Sequence, residues 1–273
     1  MKKIISLILI NILVPLKGSA QILTGTVSQN IIVNYNFNGN AIDQSGGGYD
    51  GTVIGAQLIA DRFGEAGKAF YFNGSSNYII SNKNLPDSSS LTISLWIRPD
   101  ILKLAGLVYD AAFFTPGRDT SFQMLSDGSL RAGFTKIADP GPPSLTTSSV
   151  LIPSDWSHVV ATVDGTESNI FLNGTKIATQ SFAGNNVGYH SRLHIGAENH
   201  GVVVEQFFQG AIDDVLIYNR SLTESEVATL HQIQSIPEPS AGSLLAVGLG
   251  TLLRRIRKGV CRGLVCQLDE GVS

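Results

Sequence analysis

Apolar and polar side chains alternate over residues 91–98: Leu91, Ile93, Leu95 and Ile97 fall on one side, Thr92, Ser94, Trp96 and Arg98 on the other. A period of two is the pattern of a strand with one face on a core. Ser157 to Val163 is rich in β-branched residues and stops at Asp164-Gly165. Residues 169–172 stop at Asn173-Gly174, and 175–179 follow. Asp-Gly and Asn-Gly tolerate the positive φ of tight hairpin turns, so these segments predict a meander of hairpins. Further strands are predicted at 31–37, 69–72, 78–81, 107–109, 122–125, 130–135, 192–195 and 210–218. One helix is predicted after Thr223-Glu224-Ser225-Glu226, which fits a capping box, with Val227 and Leu230 as its apolar side. Asp139-Pro140-Gly141-Pro142-Pro143 is a loop that no central strand accommodates. Many short strands divided by Gly, Asn and Asp turns predict an all-β fold, a two-sheet antiparallel jelly-roll sandwich.

The two ends differ from this pattern. Met1-Lys2-Lys3 is basic, residues 4–16 are almost entirely apolar, and Gly18-Ser19-Ala20 supplies small residues before Gln21. This reads as a secretory signal peptide over 1–20, the alternative being an anchor helix. Near the other end Pro237-Glu238-Pro239 precedes an apolar run over 240–253 and then Arg254-Arg255-Ile256-Arg257-Lys258. As a short apolar helix that run would span on the order of 21 Å, less than the ~30 Å of a bilayer core. It suits transient insertion with its cations on the cytoplasmic side better than a permanent anchor. The order Pro-Glu-Pro, short apolar helix and basic end resembles a PEP-CTERM sorting signal. The resemblance implies export in a Gram-negative bacterium to the cell surface, outer membrane or extracellular matrix, with an exosortase as processing partner.

The expected organisation is therefore a signal peptide at 1–20, a short segment at 21–30, one domain at 31–232, a linker at 233–236, the sorting signal at 237–258, and an extension at 259–273 that is disordered or removed. Setting the ends aside changes the charge. The whole chain is −3, but residues 21–239 hold eleven Lys and Arg against twenty Asp and Glu, about −9. That argues against nucleic acid as a partner. Both cysteines, Cys261 and Cys266, lie beyond the sorting segment, so the domain is expected to stand on its core without a disulfide.

A set of segments then occurs in a characteristic order. Asn36-Phe37-Asn38-Gly39-Asn40-Ala41-Ile42-Asp43 is followed by Arg62-Phe63-Gly64 and Phe72-Asn73-Gly74-Ser75-Ser76-Asn77-Tyr78-Ile79. Leu91-Thr92-Ile93-Ser94-Leu95-Trp96-Ile97, Trp156-Ser157-His158-Val159-Val160 and Phe171-Leu172-Asn173-Gly174 come next. Gly210-Ala211-Ile212-Asp213-Asp214-Val215-Leu216-Ile217-Tyr218 closes the set. Together these resemble the laminin G-like, concanavalin A-like jelly-roll domain of bacterial exported proteins, implying two antiparallel sheets of six or seven strands. The sequence departs from that pattern at Asn73 and Asn77, where acidic residues are usual, and at Leu216, where a basic residue is usual.

The resemblance also implies a structural calcium ion between an early loop and the last strand, at Asp213 with Asp43 or Asn40. The alternative is that Asp43 closes an Asx turn and Asp213 bonds backbone. In a regular strand Asp213 and Asp214 point to opposite faces and do not share one site. A glycosidase on such a sheet needs carboxylates at i and i+2 or i+4 of one strand, and no predicted strand carries them. No enzyme activity is expected. His158 reads as a structural histidine. His190, His194 and His200 fall near Glu198 in a loop-rich stretch whose spacing fits no helix-borne zinc motif. For glycan binding, Trp96 and Arg98 lie on the polar side of their strand and are candidates for a concave face, the alternative for Trp96 being burial in the sandwich. Tyr189, Phe207 and Phe208 are candidates to rim a site. The expected function is non-catalytic: an exported surface or matrix protein that is adhesive or binds a polysaccharide, the alternatives being a purely structural component without a ligand and, last, a glycoside hydrolase- or lyase-like enzyme.

Overall fold

The computed structural model of the 273-residue chain describes residues 25–111, 119–134, 144–181, 191–200 and 203–237. The signal peptide read at 1–20, the sorting signal from Glu238 onward, its apolar helix and the extension at 259–273 lie outside the described residues. In chain order the strands are β1 (Ile31–Tyr35), β2 (Gly51–Ile54), β3 (Gln57–Ile59), β4 (Ala69–Asn73), β5 (Tyr78–Asn84), β6 (Leu91–Pro99), β7 (Ala105–Ala111), β8 (Asp119–Met124) and β9 (Ser129–Phe134). They continue with β10 (Leu145–Ser149), β11 (Ser157–Val163), β12 (Glu167–Leu172), β13 (Thr175–Ser181), β14 (Arg192–Ile195), β15 (Glu198–Asn199), β16 (Val204–Glu205) and β17 (Gln209–Tyr218), before helix α1 (Glu224–Gln234). Every predicted strand is present. The unpredicted ones are short: β2, β3, β10 and the ribbon β15–β16 are exposed or polar over much of their length and give no alternation to read.

An eight-stranded antiparallel sheet has the order β13-β12-β11-β6-β17-β4-β3, with β1 also on β17; a seven-stranded sheet has the order β10-β9-β8-β7-β14-β5-β2. The core lies between them, where Ile93, Leu95 and Ile97 of β6 join one cluster with Leu107, Phe122, Leu130 and Ile195 of the other sheet. The Asn173-Gly174 turn has positive φ at both residues, 50° and 79°, as a tight hairpin between twisted strands requires.

β17 departs from a regular strand. One edge pairs along β6; the other is shared, with Gln209 to Ile212 on β4 and Val215 to Tyr218 on β1. Asp213 and Asp214 fall between those two partners, the register on β6 slips there, and Asp214 takes φ 47°.

A second apolar cluster lies on the far side of the eight-stranded sheet. Val160, Phe171, Leu216 and Tyr218 pack against Val27, Leu222, Val227 and Leu230. Leu216, at the position where a basic residue was expected, is thus core. α1 and the short turn at Gly25–Ser28 cover this face, so β6 is buried on both sides through Ile97. The domain therefore extends past the boundaries read from sequence. Val27 lies in the segment assigned to 21–30, and α1 runs two residues into the expected linker, to a buried Gln234. The capping box forms as predicted: Thr223 Oγ1 accepts from Glu226 N–H, and Thr223 N–H donates to Glu226 Oε2. Arg220, 2.8 Å from Glu226, is the main cause of that carboxyl's lowered pKa of about 2. Among the described residues no helix is long and apolar enough to cross a membrane.

Candidate functional site

Trp96 is closed off from solvent instead of lining a groove. It is 6% exposed and stacks on His158 of β11 and His231 of α1, with ring centroids at 5.2 and 5.4 Å. Its Nε1–H donates to Gln234 Oε1, and Arg62 lies 4.4 Å over its ring. The polar face of β6 is polar because it docks a helix through rings and hydrogen bonds. Arg98, the other candidate glycan contact, lies 5.5 Å from the Trp156 ring. Phe208 is core, and Tyr189 and His190 lie outside the described residues.

The residues expected at calcium do not fit an ion's shell. Asp43 Oδ1 accepts from the N–H groups of Asn34 and Ser45, and Oδ2 from Ser45 Oγ and Tyr49 N–H. Asn40 Oδ1 accepts from Ile42 N–H in a local turn. Asp213 Oδ2 is 2.6 Å from Arg62 Nη1, Asp214 Oδ2 is 2.7 Å from Arg62 Nη2, and Asp213 Oδ1 accepts from Asp214 N–H. Asp43 thus closes the Asx turn that was the alternative, and a guanidinium supplies the positive charge at Asp213. Burial, then the neighbouring Asp214, pushes the Asp213 carboxyl up, and Arg62 opposes them. The irregularity of β17 lets both aspartates reach one group, which a regular strand forbids. Among the described residues no three His, Cys, Asp or Glu side chains form a cluster fit for a metal.

The other outer face, on the seven-stranded sheet, gathers polar and aromatic side chains. Core residues Phe122, Met124, Leu130 and Ala132 leave Gln123 and Arg131, paired in register across β8 and β9, on the outside. Leu193 and Ile195 likewise leave His194 outside, paired with Tyr109 of β7. The segment carrying β15 and β16 lies over this face because β7 has a glycine beneath it. A Cβ on Gly106 would meet Glu198 Cγ at 2.6 Å and the Ala197 carbonyl carbon at 2.7 Å. Gly106→Ala should therefore displace this segment and destabilise the chain by about 1–3 kcal/mol; a thermal melt with no shift would contradict the packing.

Glu198, 1% exposed, is the centre of a network. Gln123 takes the Arg131 Nε–H on its carbonyl oxygen and donates its amide to Glu198 Oε1. Because a carboxylate only accepts, the Gln206 amide is assigned with its nitrogen toward Glu198, and it then donates to both oxygens at 3.0 and 2.7 Å. His200 Nε2 lies 3.2 Å from Glu198 Oε2 and 3.5 Å from Glu205 Oε1. Since a carboxylate only accepts, that nitrogen carries a proton, and in the neutral ring Nδ1 accepts from Tyr109 O–H at 3.0 Å. Burial raises the Glu198 pKa, against the Gln123 hydrogen bond and the His200 charge. Beside this network His194 donates Nδ1–H to Arg192 O and stacks on Tyr78, which is 6.4 Å from Phe207. Burial lowers the His194 pKa, and since an amide nitrogen only donates, Nε2 accepts from Asn199 Nδ2–H, the tautomer with its proton on Nδ1.

Of the residues singled out in sequence, this face brings together His194, His200, Glu198 and Phe207. Tyr78, Tyr109, Gln123, Arg131 and Gln206 were missed as site residues. The alternation in β8 and β9 carried the signal for Gln123 and Arg131, since each lies between two core residues.

The Laminin_G_3 family, described as "Concanavalin A-like lectin/glucanases superfamily", matches residues 72–228. No curated protein matches the sequence. Among solved structures, the chain is similar to the binding domain of Paraclostridial Mosquitocidal Protein 1, with 22% identity and TM-score 0.60 over 75% of this chain and 52% of that one. It is similar to Domain 4 of AbnA, a GH43 extracellular arabinanase from Geobacillus stearothermophilus, solved with arabinotriose: 22% identity, TM-score 0.56, 74% of this chain and 98% of that one. A third is the Botulinum neurotoxin serotype D ligand binding domain, solved with N-acetylneuraminic acid: 15% identity, TM-score 0.58, 75% of this chain and 51% of that one. The chain spans about half the length of the two toxin domains. At these identities the likeness is one of fold.

Proposed function

Because the chain belongs to the Concanavalin A-like lectin/glucanases superfamily, we propose that it is a non-catalytic glycan-binding protein whose binding surface is the outer face of the seven-stranded sheet. The observation that carries this reading is the contrast between the two outer faces. α1 covers one. The other presents the partly exposed rings of Tyr78, Phe207 and His200 beside Arg131 and Asn199, a mixture of stacking surfaces and fixed hydrogen-bonding groups that suits a sugar. Arabinotriose on AbnA Domain 4 and N-acetylneuraminic acid on the neurotoxin domain are glycans held by proteins of this fold. Binding is favoured over catalysis because both oxygens of Glu198 are already engaged by internal donors.

In this reading the basic leader and the Pro237-Glu238-Pro239 segment with Arg254, Arg255, Arg257 and Lys258 export and sort the domain to the cell surface or matrix, with an exosortase as partner. Mass spectrometry of the mature protein should show a C-terminus before Cys261; a peptide containing Cys266 on the released form would count against it.

A glycan array probed with the purified full chain tests the function. At least one polysaccharide class should bind, and Phe207→Ala and His200→Ala should each weaken it about tenfold, as loss of one stacking ring or one hydrogen-bonding group does. An array without any binding would leave a purely structural surface component, the second reading.

A further inference from the structure

A shallow, open pocket of about 240 Å³ lies beside Arg131, lined by Leu104, Leu125, Ser126, Asp127 and Arg131. It is smaller than the 300–1,000 Å³ common for drug-sized ligands, which suits a single ring over an oligomer. Its polar walls are fixed in advance. Asp127 Oδ1 accepts from Ser129 N–H and Ser129 Oγ, and the Asp127 carbonyl accepts from Ser149. Among the described residues Asp127 Oδ2 has no partner. Arg131 is held through Nε by Gln123, and among the described residues its two terminal amino groups have no hydrogen-bond or ion-pair partner. No ion pair joins Asp127 to Arg131, yet both line the same pocket, which therefore offers an acceptor and a donor on its wall. The remaining wall is apolar: Leu104 is 38% exposed, and Leu125 is half-buried beside it.

We propose that this pocket is a subsite for one uncharged sugar ring. Two adjacent hydroxyls engage this pair, one donating to Asp127 Oδ2 and one accepting from the Arg131 terminal amino groups, while the C–H face of the ring lies on Leu104 and Leu125. The matched pair of opposite charges selects neutral diols. A uronate or sialate carboxylate seated on Arg131 meets the Asp127 carboxylate at the same site. Ser129 keeps Asp127 ionised into mild acid by lowering its pKa, so the acceptor persists there. The proposal rests on the glycan-binding reading above and names the ligand class at one end of that face.

The test is an NMR or calorimetric titration of the full chain with D-galactose, D-glucose and D-mannose against galacturonate and glucuronate. At least one neutral sugar should bind with Kd on the order of 1–10 mM, typical of a small ligand with few contacts, and more tightly than either uronate. Asp127→Asn keeps the Oδ1 acceptor that holds the turn and should weaken that sugar about tenfold. Leu104→Ala, at an exposed position outside the core, should weaken it severalfold and guards against a folding artefact in the first variant. Uronates binding as tightly as neutral sugars, or neutral-sugar affinity unchanged in both variants, would overturn the subsite. If polysaccharides on the array still bind while both variants match the parent, this inference falls and the glycan-binding function stands. If nothing on the array binds, both fall.

Discussion

Arg62→Met should destabilise the chain by about 3–5 kcal/mol, the cost of breaking a buried ion pair from one side. The side chains of Arg62 and Asp213 are 6% and 4% exposed, and that of Asp214 is 14% exposed. Methionine fills much of the volume but leaves two adjacent carboxylates facing each other without a cation. It also removes the donors to the Gln234 carbonyl and the charge over Trp96, which together tie the end of α1 to the sheet. Denaturant unfolding of the full chain measures the loss. Adding Asp213→Asn and Asp214→Asn to Arg62→Met should recover part of it, since amides need no counter-charge. Arg62→Lys should not match the parent, because one ammonium cannot reproduce the fork that spans two aspartates. A loss below about 1 kcal/mol, the range of an exposed surface pair, would mean the cluster is open to water.

Acidification should expose the histidine stack. His158 is fully buried, and desolvation, then the neighbouring His231 and Arg62 charges, hold its pKa well below the ordinary 6.5. In the unfolded chain the same ring takes a proton near 6.5. The folded protein therefore loses stability as pH falls below 6.5, by about 1.4 kcal/mol per pH unit until the folded pKa is reached. Asp213 and Glu198, whose pKa values are raised, take up protons in the fold and offset part of this, so the total pH profile is blunted. His158→Phe isolates the contribution of this histidine. Phenylalanine keeps a ring between Trp96 and His231 but loses the hydrogen bond to Ser94 Oγ, at 2.8 Å, so the variant should be less stable at pH 7. That deficit should shrink as both proteins are unfolded at successively lower pH between 7 and 5. Parallel profiles for parent and variant would mean that His158 titrates alike in the folded and unfolded chain, contrary to its burial.

His158 also shows how far a strand pattern can be read. Alternation located β6, β11 and β17, but it could not say that the polar side of β6 would be buried. The helix that covers it begins more than a hundred residues later, and the groups that match it come from that helix's last residue, Gln234, and from Arg62 in a separate loop. Trp96 was therefore as compatible with an open face as with a docked helix. Asp213 and Asp214 show the same limit. Regular-strand geometry separates them, and only the shared edge of β17 brings both onto one guanidinium. Arg62 gave no local signal, since its partners lie 151 and 152 residues away.

What the chain's own pattern determined is the set of elements: the two-sheet all-β class, the principal strands, the hairpin turns and the capped helix. Each rests on interactions between residues close in sequence: period-two burial, positive φ in a turn, an N-cap. Tertiary structure alone decided which outer face α1 covers, that a guanidinium supplies the charge at Asp213, and that Glu198, Gln123, Arg131 and His200 form one network. Those outcomes depend on which distant segment lies over each sheet, and a sheet has two faces that look alike until one of them is covered.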